Sequence, residues 1–206
     1  MLSDAPSIPA QPPYPFPAVP GHGGGTAADG VRLRPVAMAD VAAVNAYRSL
    51  PEVARYLPHG PQTVADTELT VSCMVAQQGL TTPGQWLDLA VERGPSREAV
   101  GEVLLKWDAA NVQLGELGFA FNPAVQGQGI AFAACTAALE IAFKNFRWHR
   151  VEGICDDRNE KSAALMVRLG MRLEATFVEA DWSKGEWITL RHYAILNREW
   201  QAHGRN

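Results

Sequence analysis

The sequence predicts an α+β fold in three layers, with helices packed on a mixed, mostly antiparallel sheet. Three observations carry that prediction. Residues 86–121 hold three apolar, strand-like runs separated by turn residues. Residues 130–145 repeat apolar side chains at helical spacing. Residues 172–196 form two further strand-like runs around Ser183-Lys184-Gly185, a hairpin signature.

Taken in chain order, residues 1–30 hold seven prolines and five glycines, too little apolar surface to offset the entropy of ordering. They read as a tail preceding one domain over 31–206. Val31-Arg32-Leu33-Arg34-Pro35-Val36 alternates as a strand does. Asp40 stands at the head of an Ala-rich helical run to Arg48. Pro51, Pro58, Gly60 and Pro61 break the chain, and residues 63–78 resume helical composition, with Val64, Leu69, Val71 and Val75 available for burial. Strands follow over 86–92, 98–107 and 114–121, with Arg93-Gly94-Pro95-Ser96 as the first turn. In the helix over 130–145, Ala134, Ala138, Ile141 and Ala142 share a stripe. Residues 151–155 read as a short buried strand. Asp157-x-x-Glu160 fits a capping box opening a helix that ends at Gly170.

Composition excludes several classes. A hydrophobic content of 47% is ample for one core in 206 residues. Eighteen basic against 22 acidic residues give a formal charge of −4, without the basic run that a nucleic-acid backbone requires. Cys73, Cys135 and Cys155 stand far apart and leave one thiol over in any disulfide scheme, which fits a reducing compartment and argues against a metal site. No Lys or Arg precedes Arg32 to mark a signal peptide, and no apolar run reaches a membrane span. The expectation is a soluble, cytoplasmic protein with neither nucleic acid nor membrane as partner.

The segment richest in chemistry runs Gly118-Phe119-Ala120-Phe121-Asn122-Pro123-Ala124-Val125-Gln126-Gly127-Gln128-Gly129-Ile130-Ala131. It leaves a strand, turns at two glycines and opens a helix, so free main-chain N–H groups and the helix dipole favour an anion there. A dinucleotide fingerprint counted from Gly127 would need Gly or Ala where Phe132 stands, and a P-loop would need a Gly-Lys-Ser or Gly-Lys-Thr triplet, which is absent. The remaining pattern, Gln126-x-x-Gly129-x-Ala131, resembles the acyl-CoA pyrophosphate loop of the GNAT N-acetyltransferases.

Two further pieces extend the resemblance over about residues 31–200. His149-Arg150-Val151-Glu152, Asn159-Glu160-Lys161-Ser162 and Arg168-Leu169-Gly170-Met171 are similar to a run of the ribosomal-protein N-terminal acetyltransferase (RimJ/RimL-like) branch. Gly185-Glu186-Trp187, Tyr193-Ala194-Ile195-Leu196 and Glu199-Trp200 resemble its closing hairpin. The resemblance implies the GNAT acyl-CoA N-acyltransferase fold, with a V-shaped splay between the fourth and fifth strands. It implies acetyl-CoA as co-substrate and no metal, held by Phe119, Phe121, Gln126, Gly127, Gln128, Gly129, Ile130, Ala131, Asn159 and Ser162. A main-chain N–H near Phe119 to Phe121, freed by a strand bulge, would polarise the thioester.

In Gly115-Glu116-Leu117-Gly118 the acidic residue resembles the family's base, so Glu116 is the candidate catalytic residue and Glu102 on the neighbouring strand a weaker one. Many members carry a Leu-Tyr pair whose Tyr is the acid; here the pair is Leu165-Met166. Cys135 reads as a buried small residue rather than a nucleophile, His149 and His192 as structural, and Trp182 and Trp187 as core or rim of the last hairpin. The implied activity is direct transfer of acetyl to a primary amine, a protein N-terminus or a small molecule such as a polyamine or aminoglycoside. A succinyl-type donor, a homodimer, or a non-catalytic acyl-CoA sensor are the other readings the residues leave open.

Overall fold

A computed structural model describes residues 30–77, 79–94 and 97–203. The Pro/Gly-rich tail up to residue 29, and Pro95-Ser96 of the first turn, lie outside the described residues. The element order is β1 (Arg32–Pro35), α1 (Val41–Arg48), α2 (Pro51–Ala54), α3 (Val64–Ala76), β2 (Trp86–Arg93), β3 (Glu98–Trp107), β4 (Leu114–Phe121), α4 (Ile130–Glu140), β5 (Arg150–Asp156), α5 (Glu160–Arg168), β6 (Arg172–Ser183), β7 (Glu186–Leu196) and α6 (Asn197–His203). The strands form one seven-stranded sheet in the order β1-β2-β3-β4-β5-β7-β6. Among the described residues only β4 and β5 run parallel, and every other pair is antiparallel. The α+β prediction and its three layers hold.

Strand alternation decides what each face buries. Val103, Leu105 and Trp107 of β3 join Leu117 of β4 in the larger core, which the Ala-rich helix α4 and Ala163, Met166 and Leu169 around α5 complete. The intervening positions face α1 and α3, where Val36, Val44, Tyr47, Val71, Met74, Ala90 and Ala120 form a smaller cluster. On α3 the expected burial holds for Val71 only in full: Val64 and Leu69 are 56% and 70% exposed. The helix is instead fixed through Thr67, Val71 and Met74, four and three residues apart, with the Thr67 hydroxyl receiving Asn45 Nδ2 at 2.8 Å. Thr63 caps this helix reciprocally with Asp66.

Two boundaries and one added element differ from expectation. The helix over 130–145 is α-helical to Glu140 and closes in a π-helical turn over Ile141–Asn145. The N-cap of α5 is Asn159, whose Oδ1 accepts from Ser162 N at 3.1 Å; Asp157, two residues earlier, is not the cap. Asp156 rather than Asp157 holds the preceding turn, accepting from Arg158 N at 2.9 Å. A short helix, α6, also follows β7.

The sheet's one parallel contact is brief. β4 and β5 pair at Leu114↔Arg150, Gly115↔Val151 and Glu116↔Glu152, and then separate, while β4 stays on β3 as far as Phe121 and β5 on β7 as far as Asp156. The predicted V is therefore present. Its vertex is filled by Trp148, fully buried and stacked on Phe146 at 5.3 Å. A Cβ at Gly115 would lie 2.0 Å from the Trp148 ring, so only glycine lets this ring sit under the paired end. Gly115→Ala is expected to cost roughly 1–3 kcal/mol through overpacking, read as a lower midpoint in urea unfolding; an unchanged midpoint would show that the vertex yields freely.

Candidate functional site

The opening between β4 and β5 is lined first by main chain. Asn122 N donates to Val100 O at 3.0 Å, so by alternation the even-numbered amides of β4 serve β3 and the odd-numbered ones face β5. Gln113 O, which receives His149 N at 2.8 Å, obeys the same rule on the β5 side. Since the β5 ladder ends at Glu116↔Glu152, the N–H groups of Phe119 and Phe121 face the gap without a strand opposite. The β3–β4 register is unbroken from Gly101↔Phe121 to Trp107↔Gly115, so the bulge expected there is absent. The same donors are freed because the neighbouring strand departs.

At the wide end of the gap sits the glycine loop. Gly127 and Gly129 have φ of +75° and +76°, a conformation that side chains rarely adopt, and a Cβ on either would meet nothing within 4 Å. The loop therefore needs glycine for its turn and has open space above it. Gly129 is the N-cap of α4, and the first hydrogen bond of the helix runs from Ala133 N to Gly129 O at 3.0 Å. The N–H groups of Ile130, Ala131 and Phe132 thus have no acceptor within the helix. Ile130 is fully buried and pins the turn to the core. The Gln128 side chain is spent within the loop, donating to Ala124 O at 3.0 Å. Gln126 Oε1 accepts from Lys161 Nζ at 2.7 Å, which ties the loop to the first turn of α5 and places a cation at the mouth.

Asn159 and Ser162 stand on the opposite bank, at the start of α5. Asn159 Oδ1 is committed to capping Ser162 N. The pair of main-chain cradle and opposing helix end fits a diphosphate and an amide-bearing arm, as the chemistry of coenzyme A would require. Met166, at the place of the family's Tyr, is 1% exposed and lies where a Cβ on Gly153 would be 2.6 Å from its sulfur. It is core, and no acid stands there. Cys135 is fully buried and its thiol is pushed far up by burial alone, which fits a packing role. His149 lies at the closed end of the V, and His192 stacks edgewise on Phe177 at 4.7 Å.

On the face toward α1, Glu116 occupies the last paired position of β4, about one-third exposed, with Lys106 Nζ 3.6 Å from its Oε2. Glu102, the weaker candidate, is 5% exposed and fully engaged. It receives Tyr47 Oη at 2.9 Å, Arg48 Nε at 3.0 Å and Arg48 Nη2, while Arg48 Nη1 donates to His59 Nε2 at 2.8 Å. Burial, with Glu102 beside it, keeps the Tyr47 hydroxyl protonated well above its ordinary range. Glu102 is thus a structural tie between α1 and β3.

The walls above this face come from elsewhere in the chain. Tyr56 Oη donates to Arg158 O at 3.2 Å, and Lys184 Nζ at the β6–β7 turn donates to Ala54 O and Arg55 O. These contacts bring the α2 loop, the β5–α5 turn and the last hairpin together at the open end of the V. Trp182 and Trp187, in edge-to-face contact at 5.4 Å, are more than half exposed, so they are rim and not core.

An acetyltransferase (GNAT) domain model matches residues 31–172. The chain belongs to the GNAT acetyltransferase family. It is 39% identical over 85 residues, 41% of its length, to the uncharacterised N-acetyltransferase YnaD of Bacillus subtilis. It is 31% identical over 87 residues, 42% of its length, to YdaF of the same organism, provisionally named a ribosomal N-acetyltransferase. In each case the chain spans about half the length of the curated relative it matches, 50% and 48%. A GNAT-family acetyltransferase structure from Bacillus anthracis is 27% identical, with a TM-score of 0.75 over 83% of this chain and 97% of that one. RimJ of Mycobacterium smegmatis, solved with CoA-disulfide, shares the fold at 23% identity and a TM-score of 0.70, over 85% and 90% of the two chains. Among the described residues no helix is long and apolar enough to cross a membrane.

Asp88 of β2 is a carboxyl that sequence reading passed over. It is 7% exposed, and burial, then Glu102, push it up to about 7 against the opposing pull of Arg48. Because an unfolded aspartate titrates near 4, the native state holds an extra proton between about pH 4 and 7. Stability is therefore expected to fall as pH rises through that window, by at most about 4 kcal/mol. Asp88→Asn should abolish this fall and be the more stable protein at pH 8, as measured by urea unfolding at pH 5 and pH 8. Parallel curves for the two proteins would contradict the assignment.

Proposed function

We propose that the chain is an acetyl-CoA-dependent N-acetyltransferase that passes acetyl directly to a primary amine. The observation that carries the reading is the parting of β4 and β5 after Glu116, with Phe119 and Phe121 N–H groups exposed in the gap and the glycine turn of α4 at its wide end. Acyl-CoA supplies an activated thioester. Gln126, Gly127, Gln128, Gly129, Ile130 and Ala131 hold its diphosphate, chiefly through main-chain donors. Asn159 and Ser162 flank the arm.

Amide formation needs a neutral nitrogen beside a polarised carbonyl. The outward N–H groups of Phe119 and Phe121 are fixed donors suited to the oxygen on which charge develops. Glu116 stands one strand position from the point where the gap opens and, directly or through water, takes the proton that the amine must lose. The thiolate leaves toward the wide end. Membership of the family and the partial identity to YdaF support a protein α-amine as acceptor, in a cytoplasmic enzyme with no metal requirement.

Calorimetry with CoA and a thiol-release assay against a panel of amines test this reading together. Binding to the wild-type chain is expected, with Gly129→Asp weakening it at least tenfold, roughly 1.4 kcal/mol, because a carboxylate then meets the diphosphate. Glu116→Gln is expected to keep CoA affinity while lowering kcat on the order of 100-fold. Absence of any heat with CoA would end the proposal, and binding without turnover of any amine would leave a sensor in its place.

A further inference from the structure

Asp88 raises a question that the reaction described so far does not answer. Asp88 is 7% exposed, and no described residue gives its carboxyl a hydrogen bond or a close ion pair, although neither oxygen is fully enclosed. The nearby Arg48 guanidinium favours the charged carboxyl electrostatically but gives it no hydrogen bond, directing Nε and Nη2 to Glu102 and Nη1 to His59. A carboxyl so largely desolvated is costly to ionise, and a further partner of opposite charge would relieve that cost. The natural partner is a cation brought by another molecule.

Its place in the sheet says which molecule. Asp88 pairs with Leu104 of β3, and Leu104 pairs with Gly118 of β4, so the three form one row across the sheet on the face of Glu116. That row ends at the gap, since Phe119, next after Gly118, presents its N–H there. Leu104 and Gly118 are only half-buried. Gly118 adds no side chain to the row, and a Cβ there would already touch Leu104 at 3.4 Å. Leu104 and Gly118 thus put an apolar stretch of sheet between the gap and Asp88. Two strand spacings set its length at roughly 10 Å.

Resting on the acetyltransferase reading, we infer that Asp88 receives a second positive charge of the acceptor, so that this chain prefers amines carrying another cation roughly 10 Å from the reacting nitrogen. The methylenes between the two nitrogens lie over Leu104 and Gly118. With Glu102 and Arg48 cancelling each other, Asp88 supplies the net negative charge that such a group needs. A linear triamine and a peptide whose second residue is lysine both present this chemistry.

The test compares matched probes with the full chain and acetyl-CoA: spermidine against n-butylamine, and a Ser-Lys-initiated peptide against its Ser-norleucine counterpart. Wild-type protein is expected to show a KM about tenfold lower for the dicationic member of at least one pair, and the responding pair separates polyamine from peptide. Asp88→Asn should erase that preference while leaving the KM for acetyl-CoA unchanged. Asp88→Glu should retain part of it. Equal KM values within both pairs for the wild type, or a preference that survives Asp88→Asn, would overturn the inference while leaving acetyl transfer intact. Failure to bind CoA, seen by calorimetry on the wild type, would instead overturn the underlying reading.

Discussion

The separation of β4 from β5 after three paired positions is the constraint on which the rest of the molecule depends. A sheet that continued its ladder would satisfy the Phe119 and Phe121 amides with β5 carbonyls, leaving no donors and no room. The separation is held from two sides. At the closed end Trp148 wedges under Gly115 and fills the space that would otherwise collapse. At the open end each strand is committed to its other neighbour, β4 to β3 through Phe121 and β5 to β7 through Asp156, so neither can swing across without giving up its own ladder. Met166 beneath Gly153 supports β5 where it turns away.

The two faces of the sheet divide the work. One is dry, where the Ala-rich helix α4 can approach closely because its side chains are small, and this proximity seats the glycine turn at the mouth of the V. The other carries Glu102, Asp88 and Glu116 in a mixed setting of apolar and polar groups. Glu102 there is balanced by Arg48 and Tyr47, an arrangement that ties α1 to β3 and would be strongly destabilising to break from one side only. The Asp88 carboxyl feels the same guanidinium but has no hydrogen bond to it or to any other described residue.

Much of this was legible in the sequence because it rests on local chemistry. The glycines at 127 and 129 declare their positive φ by identity, and the strands of the meander declare themselves by alternation and turns. What escaped was set by tertiary partners. Val64 and Leu69 look suited to burial, but the reach of Asn45 to Thr67 rotates α3 so that they face outward. Asp157 has the spacing of a cap, yet Asn159 takes the role because Asp156 is drawn into a turn with Arg158. A bulge was expected to free amides that the departure of β5 frees instead, an event visible only in strand pairing. Asp88 was invisible for the plainest reason: in Trp86-Leu87-Asp88-Leu89-Ala90 an alternating polar residue reads as the solvent side of a strand, and only the packing of α1 over the neighbouring strand reveals that it is enclosed.

The same contrast explains how the site assigns recognition. Main-chain amides and a helix terminus bind what the loop holds, so their geometry depends on glycine at two positions and little on the surrounding side chains. Lys161 adds charge at the mouth from a flexible stem, a contribution other residues could replace. The opposite bank of chemistry is different in kind. Asp88, Glu102 and Glu116 lie on three adjacent strands, and each carboxyl meets a distinct fate: without a hydrogen bond among the described residues, doubly paired, and loosely paired with an exposed lysine. A carboxylate already satisfied cannot discriminate among incoming cations, and one near solvent is screened. Of the three, the largely desolvated carboxyl on β2 gains most from a new partner, which is why the proposed selectivity rests on β2 rather than on the strand that bears the gap.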